Sequence, residues 1–324
     1  MDNVTVSEFR TTAANIETEI GKMIVGQREV IRTVLTAIIG SGHALLEGVP
    51  GLGKTMLIRT LSEVLDMEFS RIQFTPDLMP SDITGTDVMD EVDGRREFRF
   101  QKGPVFANLV LADEINRATP KTQSAMLEAM QEKTVTVANE TYSLPKPFFV
   151  LATQNPLEME GTYPLPEAQL DRFLFKVDVK FPSADELSEI LNRTTGEENP
   201  DPQIAANGEQ IVAMQALARQ VPVPTNVTSY VSRLIVGTHP EASASDMIKQ
   251  FVRYGASPRG AQAIMLGARI TALLDGRYNV SFEDVAAIAR PALRHRLILN
   301  FEAQASNIPA DQIIDDLVSA VPRE

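Results

Sequence analysis

One segment constrains this chain more than any other. Gly48-Val-Pro-Gly-Leu-Gly-Lys54-Thr55 follows the apolar run Ala44-Leu45-Leu46. It satisfies G-x-x-x-x-G-K-[ST] at every fixed position, and its flanks read as a strand before and a helix after. The glycines let backbone N–H groups curl round a phosphate. Lys54 can reach the β- and γ-phosphates, and the Thr55 hydroxyl can hold Mg²⁺. A glycine-rich turn with a chance Lys-Thr pair is the bland alternative, which the strand-to-helix context disfavours. The segment implies a nucleotide site.

Around it, short apolar or β-branched runs at 44–47, 68–74, 109–113, 148–153 and 175–179 read as strands of a buried parallel sheet. Helices are expected at 55–65 and 120–131. Met126, Leu127 and Met130 in the second fall at helical spacing and read as core filler. Beyond Phe181-Pro-Ser183 the strands stop, and helices are expected at 185–193, 208–219, 227–238, 258–274, 282–290 and 311–320. Ser257-Pro258 and Ser281-Phe-Glu-Asp284 look like helix starts, and 197–202, Val221-Pro-Val-Pro224 and 255–258 like separators. The expected fold is α/β: a core at 1–182 with a parallel five-stranded sheet, then an all-helical domain at 183–324. No fixed-period repeat or low-complexity tract interrupts it.

Two further runs carry chemistry. Asn108-Leu-Val-Leu-Ala-Asp113-Glu114 is a buried strand that delivers two carboxylates at its C-terminal end, where ligands bind in an open parallel sheet. Beside a phosphate loop, the first acid suits Mg²⁺ together with Thr55 and the second suits polarisation of a water. Phe149-Val-Leu-Ala-Thr-Gln-Asn155 ends a neighbouring strand in an amide that can bond a γ-phosphate or the attacking water. An Asn-Pro turn is the plain reading of Asn155 taken alone.

These pieces together resemble the AAA+ ATPases, and more closely the MoxR family of the helix-2-insert clade. The resemblance runs from Ile24-Val-Gly-Gln27 to about Leu299. It is carried by the phosphate loop and Ala112-Asp-Glu-Ile-Asn-Arg117, with Arg71-Ile-Gln-Phe-Thr-Pro-Asp-Leu-Met-Pro-Ser-Asp82 and Lys121-Thr-Gln-Ser-Ala-Met-Leu-Glu-Ala-Met130. It continues in Ala152-Thr-Gln-Asn-Pro156, Leu165-Pro-Glu-Ala-Gln-Leu-Asp-Arg-Phe173, Tyr254-Gly-Ala-Ser-Pro-Arg259 and Pro291-Ala-Leu-Arg-His-Arg296.

By that resemblance Val25, Gly26 and Gln27 line an adenine pocket. Gly48, Pro50, Gly51, Leu52, Gly53, Lys54, Thr55 and Met56 form the Walker A site. Asp113 and Glu114 form the Walker B pair, with Thr55 and Asp113 as metal ligands. Asn155 is implied as sensor 1, Arg259 at the start of a lid helix as sensor 2, and Arg172 as an arginine finger toward the neighbouring subunit's γ-phosphate. Arg117 is either a further trans-acting arginine or one half of a salt bridge within the domain. No catalytic position departs from the family pattern. The resemblance further implies ATP and Mg²⁺ as cofactors, a hexameric ring, a protein client, and a partner with a von Willebrand factor A domain.

Two insertions also fit the clade. Residues 85–101, with the Asp93-Gly94 turn signal, and 133–144 read as hairpins. By the resemblance they face the ring's centre. Arg95, Arg96 and Arg99 are either a solvated hairpin face or substrate contacts. For Arg290, Arg294 and Arg296 the plain reading is likewise lid or subunit contacts.

Composition narrows the alternatives. The 324 residues include no cysteine, so disulfide and thiolate chemistry are excluded, and His43, His239 and His295 lack metal-ligand spacing. A formal charge of −13 argues against a mainly phosphate-backbone binder, which leaves a nucleic-acid motor or loader as the second reading. A GTP switch is disfavoured because no N-K-x-D motif occurs. A scaffold that binds ATP without turnover is disfavoured by Glu114. No run approaches the roughly eighteen apolar residues of a membrane span, and the first residues do not read as a signal peptide, so a cytoplasmic location is expected.

Overall fold

Alternation of side chains along five short strands builds the sheet that everything else rests on. The computed structural model describes residues 4–92, 95–155, 161–196 and 200–323. The expected Asp93-Gly94 turn, Pro156, the 197–199 part of one separator and the first three residues lie outside that set. The strands in chain order are β1 (Ala44–Glu47), β2 (Phe69–Gln73), β3 (Gly85–Val92), β4 (Arg95–Lys102) and β5 (Leu109–Asp113). There follow β6 (Thr134–Val137), β7 (Glu140–Ser143), β8 (Phe149–Gln154) and β9 (Phe175–Asp178). The main sheet has the order β2-β5-β8-β1-β9, and every pairing in it is parallel.

The interior strands β5, β8 and β1 bury both faces, whereas the edge strands β2 and β9 leave Arg71 and Asp178 exposed. Leu46, Leu109, Leu111, Phe149, Leu151 and Phe175 join one apolar cluster, whereas Leu45, Val110, Ala112, Val150 and Ala152 join the other. This is the two-residue period of a strand covered on both sides. Against the second face lies the helix Pro120–Glu132, through Met126, Leu127 and Met130, each at most 2 % exposed. The first face is covered by the helices Arg28–Ile39 and Lys54–Val64, with Val6–Met23 packed on both, and its cluster continues into the C-terminal helices through Ile264, Leu273 and Ile288. The two N-terminal helices add to the expected set. The first is signalled by a capping box in which Thr5 and Glu8 satisfy each other's backbone N–H.

The two insertions are antiparallel hairpins, β3–β4 and β6–β7. Phe100 of one stacks on Tyr142 of the other at 4.2 Å between ring centroids. The C-terminal part holds helices Ala184–Thr195, Gly208–Gln220, Thr225–Val236, Asp246–Phe251, Pro258–Leu274, Phe282–Leu293, Phe301–Ala305 and Ala310–Ala320. Its helical character is as expected, and the helices Asp246–Phe251 and Phe301–Ala305 add to the expected set. A short antiparallel ladder joins β10 (Val252–Tyr254) to β11 (Ile298–Leu299), too brief for sequence periodicity to reveal. Ser281 and Asp284 form the expected capping box, and Ser257 caps the helix that Pro258 opens. Among the described residues no helix is long and apolar enough to cross a membrane.

Candidate ATP site

β1 ends at Glu47, and the chain turns through residues 48–53 before the helix Lys54–Val64 begins. Gly51 and Gly53 take positive φ values of 84° and 75°, and a Cβ at either would meet open space. Backbone conformation therefore calls for glycine here, rather than crowding. Gly53 is the N-cap and no side chain caps the helix, so its first N–H groups and dipole face the loop. Pro50, Gly51, Thr55 and Met56 are exposed. The Lys54 ammonium donates to the Gly48 carbonyl at 2.6 Å. Burial lowers its pKa, while the carboxylates of Asp113, Glu114 and Glu47 act the other way. Those three acids thus lie close enough to feel the Lys54 charge.

The residues ahead of β1 tie in from behind. Gln27 donates its amide N–H to the Leu52 carbonyl at 3.0 Å. Val25 and Gly26 line a cavity of about 790 Å³ between the two N-terminal helices. A Cβ on Gly26 would fall 2.1 Å from the Glu186 carboxylate, so the turn and the helix Ala184–Thr195 approach closely there.

At the end of β5 the two acids are each held. The Thr153 hydroxyl donates to Asp113 Oδ1 at 2.6 Å and accepts the Glu114 N–H at 2.8 Å. Glu114 sits at φ 56°, a left-handed conformation that costs a non-glycine residue about 1 kcal/mol or more and is often met at functional sites. Arg71 of β2 donates to Asp113 Oδ2 through Nε at 3.1 Å and Nη2 at 2.7 Å. Gln73 donates to Glu114 Oε2 at 2.9 Å, and Arg117 lies 3.2 Å from the same oxygen. Arg117 therefore makes the ion pair within the domain that was one of its two readings. Arg71, Gln73 and Thr153 had no assigned role in the sequence reading. Arg71 and Gln73 are two apart on β2, so both point to one face, and the pairing of β2 with β5 brings that face to the two acids. Asn155 is buried just past β8, beside the Gly48 N–H that reaches the Gln154 carbonyl.

Arg172 and Arg259 lie elsewhere, and together. Both line a cavity of about 210 Å³ at the junction of the core and the C-terminal helices, with Asp171 and Arg296, and no phosphate-loop residue lines it. Asp171 accepts from the Ser257 hydroxyl at 2.8 Å and from Arg296 Nε at 2.8 Å, and Arg259 lies 3.8 Å away. Arg172 donates to the Leu127 carbonyl at 3.2 Å and, among the described residues, pairs with no carboxylate.

ATP and Mg²⁺ suit this chemistry. The uncapped helix start and the open glycine loop fit a phosphate chain, and the exposed Thr55 hydroxyl and the Asp113 carboxylate are hard oxygen donors of the kind Mg²⁺ takes. A parallel sheet in which an interior strand feeds a phosphate loop, with paired acids at the end of a nearby strand, defines a P-loop ATPase.

Comparison with known proteins narrows the class. Residues 43–175 match the model of the "ATPase family associated with various cellular activities (AAA)", and 244–317 match an AAA lid domain. The chain is 44 % identical to the chaperone MoxR1 of Mycobacterium tuberculosis, over 94 % of this chain and 80 % of that one. It is 31 % identical to the protein MoxR of Methylorubrum extorquens, over 98 % and 95 % of the two chains. A crystal structure from Cytophaga hutchinsonii, of a protein assigned as an ATPase, superposes with a TM-score of 0.90 at 40 % identity, covering 98 % of this chain and 96 % of that one. The chain belongs to the MoxR family of AAA+ ATPases.

Proposed function

We propose that this ATPase hydrolyses Mg²⁺-bound ATP at a site completed by a neighbouring copy in a ring of six, and that the cycle remodels or matures a protein client in the cytoplasm. The observation that carries the reading is the division of the site residues into two groups on one chain. One group holds the phosphate loop, Asp113, Glu114 and Asn155. The other holds Arg172 and Arg259 around Asp171, with no phosphate-loop residue in its cavity. Cations that serve ATP hydrolysis but stand apart from their own phosphate loop suit a neighbour's site.

In this reading Val25, Gly26 and Gln27 would seat the adenine, and Lys54 with the loop N–H groups would hold the phosphates. Thr55 and Asp113 would hold Mg²⁺, which offsets phosphate charge. Asn155 would orient the water, and Glu114 would take its proton as the oxygen attacks the γ-phosphorus and ADP departs. Glu114 must first free an oxygen now shared by Gln73 and Arg117. The division into a 1–182 core and a 183–324 lid belongs to the same reading, as does a partner with a von Willebrand factor A domain. The chaperone named among the relatives supports a protein client.

The test is the concentration dependence of turnover. Activity per subunit should rise with protein concentration and level off as sizing shows assembly complete. Full specific activity from a species that sizes as a monomer would contradict a shared site.

A further inference from the structure

We propose that Arg296 is the positioning residue for Arg172, holding the backbone on either side of it so that the Arg172 side chain is presented across the subunit boundary. The proposal rests on the shared-site reading above.

The geometry is specific to a guanidinium. Arg296 Nε donates to Asp171 Oδ1 at 2.8 Å, and Nη2 donates to the carbonyls of Asp171 at 3.1 Å and Phe173 at 2.7 Å. Nη1 donates to the carbonyls of Leu174 at 3.1 Å and Ala292. All five donors of the group are thus used, and three of the acceptors are the carbonyls of residues 171, 173 and 174. Arg172, in the middle of that stretch, is left to point elsewhere, toward the Leu127 carbonyl. Its neighbour reinforces the grip, since His295 Nε2 lies 3.1 Å from the Phe173 carbonyl. Arg294 spans Asp178 at the end of β9 and Asp311 of the last helix.

Arg296 is carried by the C-terminal helices, and the stretch it holds belongs to the core. Its side chain is 3 % exposed. Arg259 and Ser257, from the same C-terminal part, meet the other oxygen of Asp171. A movement of the C-terminal helices therefore moves the backbone that carries Arg172. Since a lysine offers three donors from one point, it cannot replace this pattern.

The test uses Arg296→Lys, with the double variant Arg296→Met/Asp171→Asn alongside, which removes both charges of the pair together. Melting curves establish that each folds. ATP affinity should stay within about threefold of wild type while turnover falls about a hundredfold, the scale of a misplaced catalytic group. Mixed with Glu114→Gln subunits, each variant should regain partial turnover, as Arg172→Ala should, because the partner supplies a well-placed arginine to an intact phosphate loop. A merely structural role for Arg296 would not be rescued this way. Turnover within about threefold of wild type in either folded variant overturns the proposal, since a group used in the transition state costs far more. So does a loss that mixing cannot restore while it restores Arg172→Ala. If mixed rings form and Arg172→Ala is not restored either, the shared-site reading fails and this proposal with it.

Discussion

At the scale of single residues, Glu114 and Lys54 serve different steps of the proposed reaction, and that separates their expected phenotypes. Glu114 is the candidate base, so Glu114→Gln should leave ATP affinity nearly intact and slow turnover by about 10²–10⁴-fold, the usual worth of a general base. Turnover within about threefold of wild type would assign the proton to another group. Lys54→Ala should instead weaken ATP binding itself by about tenfold or more, because it removes the charge opposite the β- and γ-phosphates. Calorimetry with the folded variant decides that point. Buried histidines give a pH dependence. His43 accepts the Val150 N–H at Nδ1 and faces the Met130 carbonyl through Nε2, and burial pushes its pKa down to about 4. His295 shifts the same way. Below pH ~6.5 the unfolded chain takes up these protons and the folded one does not. Stability should therefore decline as pH falls from about 6.5 toward 4, by on the order of 3 kcal/mol for His43. Melting temperatures across that range should show the decline, with a shallower slope in His43→Gln. A flat profile in wild type would contradict the assignment.

At the scale of elements, β1, β5 and β8 were legible because short apolar runs bounded by polar turns have few other uses. The short ladder of β10 and β11 and the helices Asp246–Phe251 and Phe301–Ala305 were not, because two to six residues carry no period. The helix Phe282–Leu293 illustrates what local sequence can and cannot say. The Ser281–Asp284 capping box is readable from spacing, but the arginine that neutralises it is not obvious. Arg277 meets the buried Asp284 carboxylate at 2.5 and 2.8 Å, and Asp284 also accepts the Ser281 N–H at 2.7 Å. Asp284→Ala should cost about 3 kcal/mol, since it removes a cap and a buried ion-pair partner together. Arg59→Ala, from an exposed i,i+4 pair, should cost under about 1 kcal/mol. Urea unfolding of both variants checks the contrast, and equal losses would overturn it.

At the scale of the whole molecule, the phosphate loop, Asp113, Glu114, Asn155, Arg172 and Arg259 could all be nominated from motifs, yet their division between two places could not. Motif spacing nominates groups for ATP. It does not say which face of the domain each occupies, because that depends on how the C-terminal helices dock on the core. The contacts that fix the docking, Arg296 to residues 171–174 and Ser257 to Asp171, join positions more than eighty apart in sequence. For the same reason Arg71 on Asp113 and Gln73 on Glu114 became visible only once β2 lay beside β5. The claim that one chain supplies the phosphate loop and the next supplies Arg172 is tested most directly by mixing two inactive variants. Arg172→Ala brings a sound phosphate loop without its arginine, and Glu114→Gln brings the arginine with a loop that cannot turn over. Each alone should bind ATP and fall short of wild-type turnover by about a hundredfold or more. Mixed rings should recover a clear fraction of wild-type activity, since one order of neighbours rebuilds a complete site. Mixed rings that form yet stay as inactive as their components would contradict the account.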